Sequence, residues 1–167
     1  IATQFQVMLV FQGSGANGKS ILMEFIDKHL FGPGEVCSMP PDEWKGFMKA
    51  ELDGPLINIV PELDERSVFA YAAFKSALAG EIMTTDVKHG NAYKFRPKCG
   101  HIFSANRMPI MTDTTIGFKR RFIMLAFNKS FQHNPRRREP PEIIADLGTV
   151  AHLVRARCLW ACAAALK

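Results

Sequence analysis

The chain has 167 residues, 47% of them hydrophobic, a formal net charge of +5 and a sequence pI near 9.2. Length and apolar content suit one globular domain with a sizeable core and exclude a disordered polymer. The modest basic excess is compatible with a polyanionic partner, and no apolar run reaches the length that spans a bilayer, so no membrane association is expected.

In chain order, residues 5–11 (FQVMLVF) read as a buried strand, and residues 20–30 as a helix carrying Ile21, Leu22, Phe25 and Ile26. The FGPG at 31–34 ends that helix. A second helix is expected from about Pro41, with Trp44, Phe47 and Met48 on one face. Residues 55–60 (PLINIV) form a second buried strand, broken by Pro61. A helix over 68–78 closes at Gly80, and residues 82–97 read as a β-hairpin turning at 89–91. Residues 101–105 (HIFSA) and 121–127 (RFIMLAF) are two more buried strands. Short apolar strands separated by helices predict an α/β fold with a parallel sheet flanked by helices. The predicted organisation is a core over 1–130, a basic proline-rich connector over 131–142 and a helical C-terminal segment over 143–167. Because the chain opens at Ile1 with no methionine, the expectation is a piece cut from a longer protein.

The four cysteines, Cys37, Cys99, Cys158 and Cys162, contain no CxxC pair, so they are read as small buried hydrophobes in a reducing compartment rather than as a metal or redox site. The run Arg136-Arg137-Arg138 is read as a solvated connector before it is read as a DNA contact.

Chemistry concentrates just after the first strand. Gly13-Ser14-Gly15-Ala16-Asn17-Gly18-Lys19-Ser20 fits G-x-x-x-x-G-K-[ST], between a strand and a helix as a phosphate loop requires. Gly13, Gly15, Asn17 and Gly18 would bring backbone N–H groups to phosphate oxygens. Lys19 would reach the β- and γ-phosphates and Ser20 would hold Mg²⁺, so ATP or GTP with Mg²⁺ is the expected ligand. Parallel sheets hold their ligands beyond the C-terminal strand ends. Glu62, just past the second strand, is placed to hold Mg²⁺ and activate water; Asp64 and Glu65 suit the first turn of the next helix. Asn106, at the end of the third strand, would by itself be read as a turn before the Pro109 loop, and only the company of the other motifs places it to orient the attacking water. Arg120 and Arg121 are either surface charge or the source of an arginine finger for a neighbouring subunit, and spacing does not separate them.

In combination these segments resemble the superfamily 3 helicases, and in particular the helicase module of phage, plasmid and poxvirus primase-helicases. The resemblance rests on GSGANGKS, LINIVPELDE, FKSALAGE, the F-R-P at 95–97, IFSANRMP and TDTTIGFKRRFIMLAF in that order, over residues 6–128. It implies an AAA+-type ATPase with a β-hairpin insertion, working as a homo-oligomeric ring, a hexamer in the full-length protein, on single-stranded DNA. Gly18, Lys19 and Ser20 would bind nucleotide and metal, Glu62 would be the acidic residue of the second motif and Asn106 the polar sensor. Arg120 or Arg121 would be the finger, and Lys88 with His89 at the hairpin tip would touch DNA in the ring's channel. A phage- or plasmid-encoded protein in a bacterial cytoplasm, or another intracellular setting, is implied with it. One departure stands out: Pro61 precedes Glu62 where the family commonly has Ser or Asp, which removes a second polar group near Mg²⁺.

Three functions are therefore carried forward. The first is an ATP-dependent DNA helicase or translocase module. The second, favoured by Pro61, is a catalytically weak ATP-binding assembly or replication-initiator module. The third is a small-molecule P-loop kinase, which needs an arginine-rich lid on its own subunit. The isolated chain is expected to be mostly monomeric, since one ring interface must offset the entropy of association.

Overall fold

The computed structural model describes residues 5–66, 71–87, 90–109 and 115–165. Its centre is a five-stranded, wholly parallel sheet in the order β2-β3-β6-β1-β7. The strands are β1 (Met8–Gln12), β2 (Val36–Cys37), β3 (Ile57–Val60), β6 (Gly100–Ala105) and β7 (Phe122–Ala126). A two-stranded antiparallel hairpin, β4 (Met83–Thr85) with β5 (Tyr93–Phe95), stands apart from the sheet. The helices are α1 (Lys19–Phe25), α2 (Tyr71–Ala79), α3 (Ile116–Lys119), α4 (Pro140–Thr149) and α5 (Ala151–Ala165). The α/β class, the hairpin insertion and the helical C-terminal segment expected from sequence are all present.

The central strands are apolar because both their faces are covered, as parallel strands require. All four residues of β3 are buried, and Val10 and Phe103 have no exposed surface. One face packs on Trp44, which lies near the rings of Phe74 and His101, with centroids 5.7 Å and 5.0 Å away. Asn58, in the middle of β3, is buried without penalty because its amide mimics a peptide. Met39 N–H donates to its Oδ1 and its Nδ2 donates to Met39 C=O, both at 2.8 Å. Burial pushes the Cys37 thiol up to about 11 and the Cys99 thiol up to about 12.

Several expectations are corrected. The helix predicted near Pro41 is two short 3₁₀ segments, Pro41–Glu43 and Gly46–Leu52. Gly46 sits at φ +49 and redirects the chain, so Trp44 enters the core while Phe47 stays exposed. The helix after the glycine-rich loop holds α-geometry only to Phe25 and widens into a π-turn, Ile26–Leu30. β7, expected from its composition to be buried, leaves Ile123, Met124 and Leu125 each 45–48% exposed, because it is an edge strand paired only with β1 among the described residues. The C-terminal helical part begins at Pro140, three residues earlier than predicted, with proline in its first turn where no N–H is needed.

The cysteines also divide. Cys99 is buried and Cys37 half-buried, but Cys158 and Cys162 lie exposed on α5, against the reading of all four as core residues. Among the described residues no group of three or more His, Cys, Asp or Glu is placed to hold a metal. With DTNB at pH 8, Cys158 and Cys162 should react within the mixing time, and Cys37 and Cys99 only as the protein unfolds. Four fast thiols in the native protein would contradict this packing.

Candidate functional site

Three parallel strands deliver the predicted residues to one edge of the sheet. β1 runs directly into the glycine-rich loop, β3 into Glu62 two residues beyond its end, and β6 into Asn106 one residue beyond its own. Their ends are tied together: Gly13 N–H donates to Ala105 C=O at 3.2 Å, and Leu63 N–H to Ser104 C=O at 2.7 Å. Hydrophobic burial of the strands fixes the register, and register fixes where the polar tips emerge.

The loop is a strained turn feeding a helix. Gly18, the residue before α1, has φ +87, a conformation that disfavours any side chain. Ala16 accepts φ +57, a rare left-handed alanine. Gly13 has no room for a Cβ, which would collide with the Phe127 carbonyl. Asn17, 6% exposed, braces the loop with its amide, donating to Ser14 C=O and, at 3.0 Å, to Phe127 C=O. From the other side, Phe131 N–H donates to Ala16 C=O at 2.7 Å. The loop is thus pinned to the exit of β7, a tie between residues more than a hundred positions apart.

Lys19 opens α1 and is 5% exposed. Its Nζ donates to Gly13 C=O (2.5 Å), Asn17 Oδ1 (3.1 Å) and Asn106 Oδ1 (3.4 Å). Burial lowers its pKa from the ordinary lysine value, and the carboxylate of Glu62 pulls it partly back up. Asn106 in turn donates through Nδ2 to Glu62 Oε1 at 3.0 Å. Lys19, Asn106 and Glu62 therefore form one hydrogen-bonded line across the strand tips. All three line a cavity of about 660 Å³, together with Gly15, Gly18, exposed Ser20 and Pro61. That volume lies within the ordinary range for small-molecule sites. Ser20 and Glu62 contribute hard oxygen donors to it, which suits Mg²⁺. Asp64 takes no part; its Oδ1 accepts from Arg66 N–H in a local turn.

Arg120 and Arg121 lie elsewhere. They precede β7, and Met8 N–H donates to Arg121 C=O at 2.8 Å, at the N-terminal end of the sheet. The length of β7, about 17 Å at 3.3 Å per residue, separates them from their own loop. Arg121 is held in place, its Nη1 donating to Gly117 C=O at 2.5 Å and its Nη2 to Gln6 Oε1 at 3.2 Å. Arg120 is exposed. Lys88 and His89 lie outside the described residues.

The cavity's far wall was not foreseen. It includes Phe131, Asn134, Arg136, Arg137, Arg138 and Leu147, from the stretch expected to be a solvated connector and helix. The arginine run was visible in the sequence, but nothing in its spacing signalled that it folds back over the loop.

Residues 11–121 match a family model described as "Family of unknown function (DUF5906)". The chain belongs to that family. No curated protein matches it. Among solved structures, this DUF5906 chain is similar to the A form apo structure of the NrS-1 C-terminal region, with TM-score 0.70 and 18% identity, over 92% of this chain and 37% of that one. Another apo structure of that region gives TM-score 0.65 and 17% identity, over 90% of this chain and 35% of that one. The JCV helicase with a bound phenoxyphenyl acetamide compound gives TM-score 0.48 and 16% identity, over 74% and 36% of the two chains. The likeness to the NrS-1 region is one of fold, and this chain spans little more than a third of that region's length. No described helix is long and apolar enough to cross a membrane.

Proposed function

We propose that this chain is the motor module of a helicase or translocase, hydrolysing ATP with Mg²⁺ and acting on single-stranded DNA. The observation that carries the reading is the line Lys19–Asn106–Glu62 over the tips of three adjacent parallel strands, beside a loop of the phosphate-binding pattern. In this reading the loop's N–H groups and the N-terminus of α1 receive the phosphates. Lys19 leaves Gly13 C=O for a phosphate oxygen, at little cost because its partners there are neutral. Mg²⁺, held by Ser20 and, through water, by Glu62, would neutralise phosphate charge. Asn106 holds Glu62 at a fixed position, and Glu62 accepts a proton from the attacking water.

Because Arg120 and Arg121 stand at the opposite end of the sheet from their own loop, a finger must serve a neighbouring subunit. Arg120 is the better candidate, since Arg121 is already committed to Gly117 and Gln6. A ring, hexameric in the longer protein, supplies that neighbour. The DNA-facing role of Lys88 and His89, the three-part division of the chain and an intracellular setting belong to the same proposal.

Two observations favour other readings. Pro61 lines the cavity where a polar residue would assist the metal, which suits a catalytically weak assembly or initiator module. Arg136 and Arg137 line the cavity of their own subunit, as a P-loop kinase would require. A single assay separates the three: ATP hydrolysis across a protein titration, with and without single-stranded DNA, for wild type and Arg120→Ala. The motor reading expects the rate per subunit to rise with both protein concentration and DNA, and Arg120→Ala to lower it at least a hundredfold. A rate independent of concentration, DNA and Arg120 favours the kinase. ATP binding without turnover, also after joining to the longer protein, favours the assembly module.

A further inference from the structure

The wall opposite the phosphate loop has a composition that phosphates alone do not explain. Residues 131–138 and the first turns of α4 bring Arg136, Arg137, Ile143 and Leu147 to the cavity, which Ile21 and Leu22 of α1 also line. The stretch is fastened at both ends. At its start, Phe131 N–H donates to Ala16 C=O at 2.7 Å and Asn17 Nδ2 to Phe127 C=O at 3.0 Å. At its end, Ile144 is buried and Gly148 meets the π-turn so closely that a Cβ would stand 2.7 Å from the His29 ring. Packing by Ile144 and Gly148 leaves Ile143 and Leu147 half-buried at the cavity.

All three arginines of the run line the cavity, and they differ in whether they are paired. Arg138 is neutralised by Asp146 at 2.6 Å and Glu142 at 3.8 Å. The guanidinium groups of Arg136 and Arg137 have no ion-pair partner among the described residues, and both line the cavity. Free guanidinium groups suit phosphate oxygens, which they bind in a fixed fork. Aliphatic walls suit a flat apolar body. A ligand with both features joined is a nucleoside polyphosphate.

We propose that residues 131–147 form a strap on the same subunit that holds the nucleoside end of the ligand. Ile143 and Leu147 enclose the base against Ile21 and Leu22, while Arg136 and Arg137 add phosphate donors to those of the loop. This rests on the nucleotide reading above and adds which residues make the site select a whole nucleotide over a bare phosphate chain.

The test is calorimetric binding of ATP and of inorganic tripolyphosphate, each with Mg²⁺. Wild type should bind ATP at least tenfold tighter than tripolyphosphate. The double variant Ile143→Ala with Leu147→Ala should weaken ATP by about tenfold and leave tripolyphosphate unchanged, which also reports an intact loop. Arg136→Ala with Arg137→Ala should weaken both ligands. Should the aliphatic double variant lose cooperative thermal unfolding, half-buried Ile143→Ala alone carries the same comparison, with a loss of about threefold for ATP only. Equal affinity of wild type for the two ligands overturns the strap and leaves the phosphate loop standing. An aliphatic variant that weakens both ligands equally, or neither, also overturns it. Wild type that binds neither ligand brings down the nucleotide reading and the strap with it.

Discussion

Glu62→Gln should lower ATP turnover by about three orders of magnitude while leaving MgATP binding within a few fold of wild type. Glutamine keeps the size of the side chain and keeps an oxygen that accepts from Asn106 Nδ2, so the line across the strand tips survives. What is lost is the basic oxygen that takes a proton from water. Lys19 registers the loss as well, because the Glu62 carboxylate is what draws its pKa upward against burial. Lys19→Ala should behave differently, with binding itself failing, since Lys19 spans the loop and Asn106. Single-turnover hydrolysis beside equilibrium binding separates the two variants. Wild-type turnover in Glu62→Gln would remove Glu62 from the chemistry and leave it a partner for Asn106.

The second large effect is on stability in acid. His101 is buried in β6, between Trp44 and Phe103, and burial lowers its pKa to about 3. Asn58 Nδ2 lies 3.4 Å from its Nδ1, and the Cys99 sulfur 3.9 Å from its Nε2. With Nδ1 facing an amide donor, the neutral ring fits and a second ring proton does not. The sign follows from linkage. The unfolded chain takes up a proton near pH 6.5 that the folded chain refuses until about pH 3, so the stability from neutral His101 is complete above pH 6.5 and is lost as pH falls through that window. The loss approaches about 1.4 kcal/mol per pH unit from this residue. Urea unfolding of wild type and His101→Gln at pH 7, 6, 5 and 4.5 should give slopes against pH that differ by one proton. Parallel slopes would mean that the folded protein admits the proton.

The elements that proved legible in sequence share a physical reason. β1, β3 and β6 are short, apolar and covered on both faces, so the hydrophobic pattern marks them, and the rule that ligands gather past their C-terminal ends then selects Glu62 and Asn106. Gly18 was readable because its positive φ leaves few other residues possible. The failures have a common reason too. The segment after Pro41 carries apolar residues at helical spacing, and only the tertiary turn at Gly46 decides that Phe47 faces solvent. Nothing local in 131–147 states that it returns to the loop; that follows from Asn17 and Phe131 meeting partners across the fold. β7 has the composition of a covered strand, and its composition does not say what covers it.

That last feature governs how the protein behaves in the tube. β7 closes the sheet with a run of half-exposed Ile123, Met124 and Leu125 and, among the described residues, an unpaired outer edge. Such an edge is a template for strand addition and a seed for aggregation. On concentrating the protein, copies are expected to pair along this strand, as light scattering against concentration would show. Solubility is therefore best managed there, with a lysine on an outward-facing β7 position, before any change is made near the loop.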